Sequence, residues 1–296
     1  MNNYWRGVVY SLAAAVFWAV MSPIAKYLAA GGINLLSAMA FRAFFVAAVL
    51  GPWLLISKGK EVFFPKPSIL KFYFISGALS VACAGGGFLM SLEYLSVAEA
   101  LILHYTFPLV AMLGSLYVTH EKPDRRQVAA GFMIVFGVYC GMVGGKPLSG
   151  MSLPGVLWGL LAVFGISGQA LIGRRISKTE KIDSIVMLFF THTFGFFILL
   201  LGKSVFIGWA DIANFTPFLF SILLLQAISG SLIAYGLFYS ALKYIPAATV
   251  SLLCTLEMVL AVALTAVTLG TVPTLREVVG CAVIISAIVI STIKKK

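Results

Sequence analysis

The sequence predicts an all-α integral membrane protein in which ten transmembrane helices form two inverted five-helix repeats. Three observations point to this fold class. The composition is far more apolar than that of soluble proteins. The chain divides into ten apolar segments of membrane-spanning length, and the first half of the sequence is repeated in the second.

The composition excludes most soluble classes of protein. Of the 296 residues, 61% are apolar and 10% are charged, whereas soluble domains are roughly 45–50% apolar and about 25% charged. A soluble domain of this size could not bury so much apolar surface, so a cytosolic enzyme, a disordered chain and a disulfide-stapled secreted domain are excluded. The four cysteines lie in apolar segments without a Cys-x-x-Cys spacing. We therefore expect buried thiols, with no metal and no cofactor.

Ten segments are long enough to cross a bilayer. A hydrocarbon core of ~30 Å requires about 20 apolar residues in a helix. Backbone polar groups inside a membrane must be paired within the protein, so helices are the expected structure. The predicted spans are 7–29, 35–56, 70–92, 98–118, 126–144, 154–174, 185–202, 216–241, 247–269 and 275–293.

The basic residues predict the orientation. The net charge of +11 would suggest nucleic acid in a soluble protein, but cytoplasmic loops of membrane proteins collect Lys and Arg, so we expect no nucleic-acid partner. With the N-terminus inside, 16 basic residues fall inside and 3 outside. Both termini are therefore expected in the cytoplasm, for a bacterial inner-membrane protein. The outside residues are Lys146, Lys203 and Arg276, and the inside ones are Arg6, Lys58, Lys60, Lys66, Lys71, Lys122, Arg125, Arg126, Arg174, Arg175, Lys178, Lys181, Lys243, Lys294, Lys295 and Lys296.

An internal repeat relates residues 1–148 to residues 149–296. At an offset of 148, Gly7 matches Gly155 and the basic Lys26 matches Arg174. At an offset of 150 the matches least expected by chance in an apolar sequence are Tyr94/Tyr244, Pro123/Pro273 and Arg126/Arg276. Because each half has an odd number of spans, the second must enter the membrane upside down. Inverted repeats of this kind are a hallmark of alternating-access transporters.

Short motifs follow one another in a fixed order along both halves of the chain. They are Phe17-Trp18 through Pro23 to Lys26, Phe41-Arg42, Pro108, Glu121-Lys122-Pro123, Gly131, Gly137, Leu256-Glu257, Pro273, Leu275-Arg276 and Gly280. Together these motifs resemble the drug/metabolite transporter superfamily, specifically its ten-helix EamA-type members, over essentially the whole chain. One departure is that Met258 replaces the proline of the Leu-Glu-Pro turn, and another is that Thr271 stands in place of the acidic residue usual before Pro273. The resemblance implies a carrier, commonly an exporter of amino acids or other small metabolites.

Ionisable groups within a span are costly and mark functional candidates. Glu257 lies about ten residues into span 9, roughly 15 Å deep at ~1.5 Å per residue. There it could hold a substrate ammonium group or a proton, or serve a structural role. His104 and Tyr105 precede Pro108 in span 4, where a carbonyl loses its helical partner. His104 is a candidate carboxylate ligand or titrating group, and a buried neutral His is the alternative.

The remaining substrate-binding candidates are polar or aromatic residues of other spans. Arg42 is a candidate carboxylate clamp, with an Arg42–Glu99 brace between helices as the favoured alternative. We expect Lys26 and Arg174 to snorkel to the interface. Gln226 lies near mid-depth, where its amide needs a polar partner. The other candidates are Gln169, Trp18, Ser22, Tyr235 and Tyr239.

The most plausible function is export of amino acids or related zwitterions by a secondary carrier. The partners expected are a small-molecule substrate, the lipid bilayer and protons as a coupling ion, with the chain a monomer or weak dimer. An intramembrane lipid-modifying enzyme is an alternative, although no nucleophile–base motif supports it. A passive channel and carriers of drugs, sugar phosphates or choline also remain open.

Overall fold

The computed structural model describes residues 2–142, 152–180, 183–270 and 272–293, with only the backbone given for Ser22 and Leu269. Lys146, Lys181, Thr271, the three C-terminal lysines and the predicted repeat boundary at 148/149 lie outside these ranges. The described chain forms ten helical segments, named α1 to α10 in order, and contains no strand.

Among the first five helices, α1, α3 and α4 each contain a break or an irregular stretch. Helix α1 is interrupted at Val20, α3 contains a π-helical stretch, and α4 is interrupted after His104. The bounds are Asn3–Ala19 and Met21–Ala30 for α1, Leu35–Lys58 for α2, Pro67–Leu92 for α3 with its π-helical part at Ala78–Gly86, Val97–His104 and Phe107–Val118 for α4, and Arg125–Met142 for α5.

The last five helices repeat much of this pattern. Helix α8 contains a π-helical stretch like that of α3, and α9 is interrupted at Thr255. The bounds are Leu153–Thr179 for α6, Ser184–Phe206 for α7, Pro217–Ala241 for α8 with its π-helical part at Ala227–Ala234, Ala247–Cys254 and Leu256–Leu269 for α9, and Leu275–Thr292 for α10.

Nine of the ten helices in the described ranges are long and apolar enough to cross a membrane. The exception is α5, whose 18 residues begin with Arg125, Arg126 and Gln127, which lower its mean hydropathy. The all-helical membrane fold is confirmed. Of the ten predicted spans, α5 alone is not apolar enough to count as a membrane-crossing helix by length and composition in the described ranges. A second difference concerns α6, which continues to Thr179 rather than ending at residue 174.

Helices α5 and α10 show that the two halves are inverted. They pack side by side with Gly137 against the backbone of Gly280. The start of α5 meets the end of α10, where Arg126 Nη1 donates to the carbonyl of Ile293 at 3.1 Å. Equivalent helices of the two halves therefore run antiparallel, as an inverted repeat requires.

The two halves also contact each other through pairs of residues that the repeat makes equivalent. Gly7 at the start of α1 lies against Ile245, and Gly155 at the start of α6 lies against Leu95. The hydroxyl of Tyr4 donates to the carbonyl of Thr292 at 3.2 Å, so α1 begins where α10 ends. We call this end of the bundle the terminal face and the opposite end the distal face.

Helices α2 and α7 are tied together at both ends. On the terminal face, Lys58 pairs with Asp183 at 2.7 Å. On the distal face, Lys203 pairs with Asp211 at 3.0 Å, and Asp211 accepts from the backbone of Asn34. Burial would raise the pKa of Asp183, but hydrogen bonds from Lys58 and the Ile185 backbone outweigh it, so the pKa lies below its ordinary value.

Candidate functional site

A cavity of about 280 Å³ lies inside the bundle. Its lining residues come from α1, α2, α3, α4, α6, α8 and α9, and none comes from α5 or α10 in the described ranges. Helix α2 contributes Leu35, Ala38, Met39 and Arg42, because it crosses close enough to α3 and α8 to face inward.

The cavity opens towards the distal face. Its α2 residues come from the distal end of that helix, and Leu35, Met39 and Leu89 are partly exposed. Towards the terminal face, the next layer contains Tyr239 and Leu242, which are 1% and 0% exposed. Access to the cavity is therefore from the distal side.

Irregular helix segments face the cavity. The π-helical stretch of α3 supplies Ser80, Ala84 and Gly85 to its wall. In α8 the π-helical stretch offers the carbonyl of Gly230 to Trp18 Nε1, at 3.0 Å. Such stretches are frequent at functional sites because they change which backbone groups are paired.

Glu257 of α9 and Tyr105 of α4 meet across the two halves. The Tyr105 hydroxyl donates to Glu257 Oε1 at 3.4 Å, the one hydrogen bond to this carboxylate among the described residues. Glu257 lies in the first turn of Leu256–Leu269, where the helix dipole favours a negative charge. The long contact leaves this carboxylate available to a cation or a proton in the cavity.

Arg42 of α2 enters the same cavity. Its Nε donates to Ser231 Oγ at 3.1 Å, which holds the guanidinium while leaving both Nη groups without a partner in the described ranges. The favoured Arg42–Glu99 brace is wrong, because Glu99 instead closes a capping box with Ser96 at the start of α4. The capping contacts are local and hold Glu99 at its own helix end.

Several buried polar atoms around the cavity have no protein partner in the described part of the chain. These are His104 Nδ1, Gln169 Oε1, Gln226 Oε1, Ser80 Oγ and Ser251 Oγ. The Gln226 amide is held by its Nε2, which donates to the Met21 carbonyl at 3.1 Å. Buried polar groups are normally hydrogen-bonded, so this set indicates that water or a polar ligand fills the space.

Aromatic rings form one wall of the cavity. Trp18 packs edge-on against Tyr235, with centroids 5.0 Å apart, and tilts against Phe238 at 5.4 Å. Behind Tyr235 lies His192, whose Nδ1 pairs with the Leu188 carbonyl at 3.0 Å. This wall can cover an apolar side chain or stack on a cation.

Eight of the ten predicted site residues line this one cavity, namely Trp18, Arg42, His104, Tyr105, Gln169, Gln226, Tyr235 and Glu257. Tyr239 does not, and this placement is a correction. Its hydroxyl lies within 3.3 Å of Ser76 Oγ in the layer beneath the cavity. The side chain of Ser22 lies outside the described part of the structure.

Sequence reasoning missed several lining residues, among them Ser80, Ser251, Met39 and Phe88. Ser80 belongs to a line of small residues along α3, a pattern that is typical of close helix packing. Ser251 lies six residues before Glu257, and this spacing does not place two side chains on one face of a regular helix, so it gave no signal. Met39 and Phe88 carry no signal that separates them from other apolar residues of a span.

Beneath the cavity, Arg174 of α6 is held at the terminal face. Its Nε and Nη2 donate to Glu121 Oε1 at 2.9 and 2.7 Å, and its Nη1 donates to the Leu242 carbonyl at 2.8 Å. The expectation that Arg174 snorkels to the interface is therefore wrong. Hydrogen bonds from a guanidinium to a carboxylate are about twice as strong as neutral ones, which favours this paired position of Arg174.

A bundle of apolar helices with a polar cavity between two inverted halves defines the class of membrane transporters. A model of the EamA-like transporter family matches residues 5–142 and again residues 153–293. The chain therefore belongs to the EamA-like transporter family, whose members are transporters of small molecules and not enzymes.

A solved crystal structure of another protein shares the fold. It aligns with a TM-score of 0.77 and 16% sequence identity, covering 96% of this chain and 95% of the other. At this identity the likeness concerns the fold alone. The sequence matches no protein among the curated ones.

Proposed function

We propose that the protein is a secondary carrier that exports a small zwitterion of the amino-acid class by alternating access. The observation that carries the proposal is one cavity lined by both Glu257 and Arg42. A carboxylate can pair with a substrate ammonium group, and the two Nη groups of an arginine fit a substrate carboxylate. The partner-free oxygens of Gln169 and Gln226 add acceptors for an ammonium group.

The cavity size supports a small substrate. At about 280 Å³, it lies just below the range of roughly 300–1,000 Å³ typical of drug-sized ligands. The wall of Trp18, Tyr235 and Phe238 suits an apolar side chain. The cavity is less suited to binding a sugar phosphate, because Arg42 is the one Lys or Arg that lines it within the described ranges.

The proposed orientation determines which side of the membrane the cavity faces. The positive-inside rule places the terminal face in the cytoplasm, so the described conformation is open to the outside. Glu257 is the group we propose as proton site, because it is the one carboxylate lining the cavity in the described ranges. We propose a bacterial inner membrane as the location, and a monomer or weak dimer as the working form.

The test is counterflow in liposomes loaded in turn with amino acids, their decarboxylated amines, sugar phosphates and choline. Saturable exchange of amino acids, absent for the matching amines and for the phosphates, is expected. Equal exchange of amines, or flux that does not saturate, would overturn the zwitterion carrier in favour of an amine carrier or a channel. Chemical conversion of the substrate would instead indicate an enzyme.

The orientation is tested separately. A reporter that is active only in the cytoplasm, fused after Lys296, is expected to be active. The matched fusion after Lys203, at the end of α7, is expected to be silent. The reverse pattern would overturn the proposed orientation and would mean that the open side of the cavity faces the cytoplasm.

A further inference from the structure

One ion pair joins three helices at the terminal face. Arg174 of α6 binds Glu121, just after α4, and the carbonyl of Leu242, just after α8. The two charged side chains are 11% and 16% exposed, and Lys178 adds a weaker contact to Glu121 at 3.5 Å. Neutralising either partner would leave the other largely buried and unpaired, which is costly.

The chain holds Glu121 in position for this contact. His120 adopts a positive φ of 54°, which reverses the chain after α4. The Glu121 backbone N–H then donates to the Ser115 carbonyl at 3.0 Å, and Thr119 Oγ1 donates to Glu121 Oε2 at 3.1 Å. The carboxylate is thus fixed before Arg174 binds, and little side-chain entropy is lost on pairing.

The ion pair lies on the closed side of the cavity. Gly173, next to Arg174, packs on Tyr239 and Leu242, which form the buried layer between cavity and terminal face. The three joined helices also carry Tyr105, Gln169 and Tyr235 of the cavity wall. Separating the ends of α4, α6 and α8 would therefore open the cavity to the terminal face.

We infer that Glu121, Arg174 and the Leu242 carbonyl form a latch that closes the terminal face and must break in each transport cycle. The inference rests on the proposed alternating-access function. It assigns Glu121 and Arg174 as positioning residues, which set the balance between the two conformations without contacting substrate. The latch favours the distal-open conformation that the structure shows.

The sequence provides no equivalent acidic partner for the distal face, because the residue that the repeat matches to Glu121 is Thr271. Lys26, which the repeat matches to Arg174, is exposed and forms no ion pair in the described ranges. Because the two conformations of an inverted repeat exchange the contacts at the two faces, a contact present on one face alone biases the equilibrium. Breaking it is expected to raise the terminal-open population.

The experiment measures distances by electron spin resonance in lipid nanodiscs. Spin labels replace Lys122 and Lys243, which are exposed and flank the latch, in a chain whose four cysteines are substituted. Glu121→Gln is expected to raise the ratio of long to short distances about tenfold, the scale of one lost charged hydrogen bond. Arg174→Lys, which keeps the charge but not the two-point contact, is expected to give a smaller rise.

The controls separate a latch from general loosening. Arg175→Gln removes the adjacent exposed positive charge and is expected to leave the distances unchanged. The double variant Glu121→Gln/Arg174→Gln is expected to change the distance ratio no more than the single variant with the larger change. The reason is that the two residues act as one unit. Unchanged distances in folded Glu121→Gln protein, or equal changes in Arg175→Gln, would overturn the latch.

This outcome is independent of substrate identity. If no amino acid is transported but Glu121→Gln still shifts the distances, the zwitterion proposal fails and the latch stands. If transport is found and the distances do not move, the latch fails and the carrier stands.

Discussion

The two ends of the bundle differ although the repeat makes them equivalent. At the terminal face, Arg174 binds a carboxylate and a backbone carbonyl, and the layer behind it is fully buried. At the distal face, the matching Lys26 is exposed, and the residue that the repeat matches to Glu121 is Thr271. The contacts that can close the two faces therefore differ although the fold is symmetric. This difference allows the sequence to determine which conformation is more stable at rest.

The two halves also contribute different residues to the cavity at equivalent positions. Glu257 of α9 corresponds to Phe107 of α4 at the 150-residue offset, and Thr255 corresponds to Tyr105. Among the described residues, the one carboxylate that lines the cavity therefore comes from the second half, and its hydrogen-bond donor comes from the first. Any motion of one half against the other changes this contact directly.

The largest expected effect is that of Glu257→Gln. The amide keeps the volume and can accept from Tyr105 but removes the charge, so exchange should fall about 10–100-fold, as expected for a charged hydrogen bond. Counterflow per folded molecule from pH 5.5 to 8 is the measurement, with exposed Glu61→Gln as the control. Wild-type exchange with an unchanged pH profile would remove Glu257 from the site.

A smaller effect is expected from Arg42→Lys. The lysine keeps a positive charge but lacks the planar two-point geometry, so the KM for an amino acid should rise about tenfold with a smaller change in kcat. Ser231→Ala, which removes the partner of Arg42 Nε, should raise KM less. An unchanged KM for the amino acid in folded Arg42→Lys protein would contradict the assigned role of Arg42.

The crossing of α3 and α6 predicts a loss of stability. A Cβ added at Gly165 would lie 2.6 Å from the Leu79 carbonyl oxygen, so Gly165→Ala should destabilise the fold by about 1–3 kcal/mol. Nothing lies within 4 Å of a Cβ at Gly202 in α7. Gly202→Ala should be neutral or stabilise by about 0.5–1 kcal/mol. Thermal unfolding in detergent compares the two, and similar shifts would contradict this packing.

The smallest effect concerns the Lys58–Asp183 pair. Asp183→Asn keeps an acceptor at the start of α7 but removes the charge, and should lower stability by less than about 1 kcal/mol, as is usual for a partly exposed pair. Because the folded-state pKa of Asp183 is lowered, its contribution is present above the unfolded value of about 3.9 and is lost as the pH falls through the folded pKa.

The measurement is the difference in unfolding temperature between wild type and Asp183→Asn at pH 7 and in acid. The difference should shrink in acid, where the wild-type carboxyl is also neutral. A difference that persists unchanged at low pH would show that the charge of Asp183 is not what stabilises the pair.

The sequence by itself determined the membrane class, the helices and the inverted repeat. These depend on composition, on segment length and on matched residues such as Tyr94/Tyr244, all of which are properties of the chain read in order. It also indicated eight of the residues that line the cavity, all of them polar or aromatic. A polar side chain within a span is costly unless it has a use, so Glu257, His104 and Gln226 stood out from the apolar background.

The tertiary structure decided which polar residues meet. Arg42 binds Ser231 rather than Glu99, Tyr239 lies beneath the cavity, and Arg174 binds Glu121 instead of reaching the membrane surface. Each outcome depends on how helices far apart in sequence cross. Local hydrophobic patterning fixes neither the depth at which two helices touch nor the face that each presents, so the partners could be found only from the packed bundle.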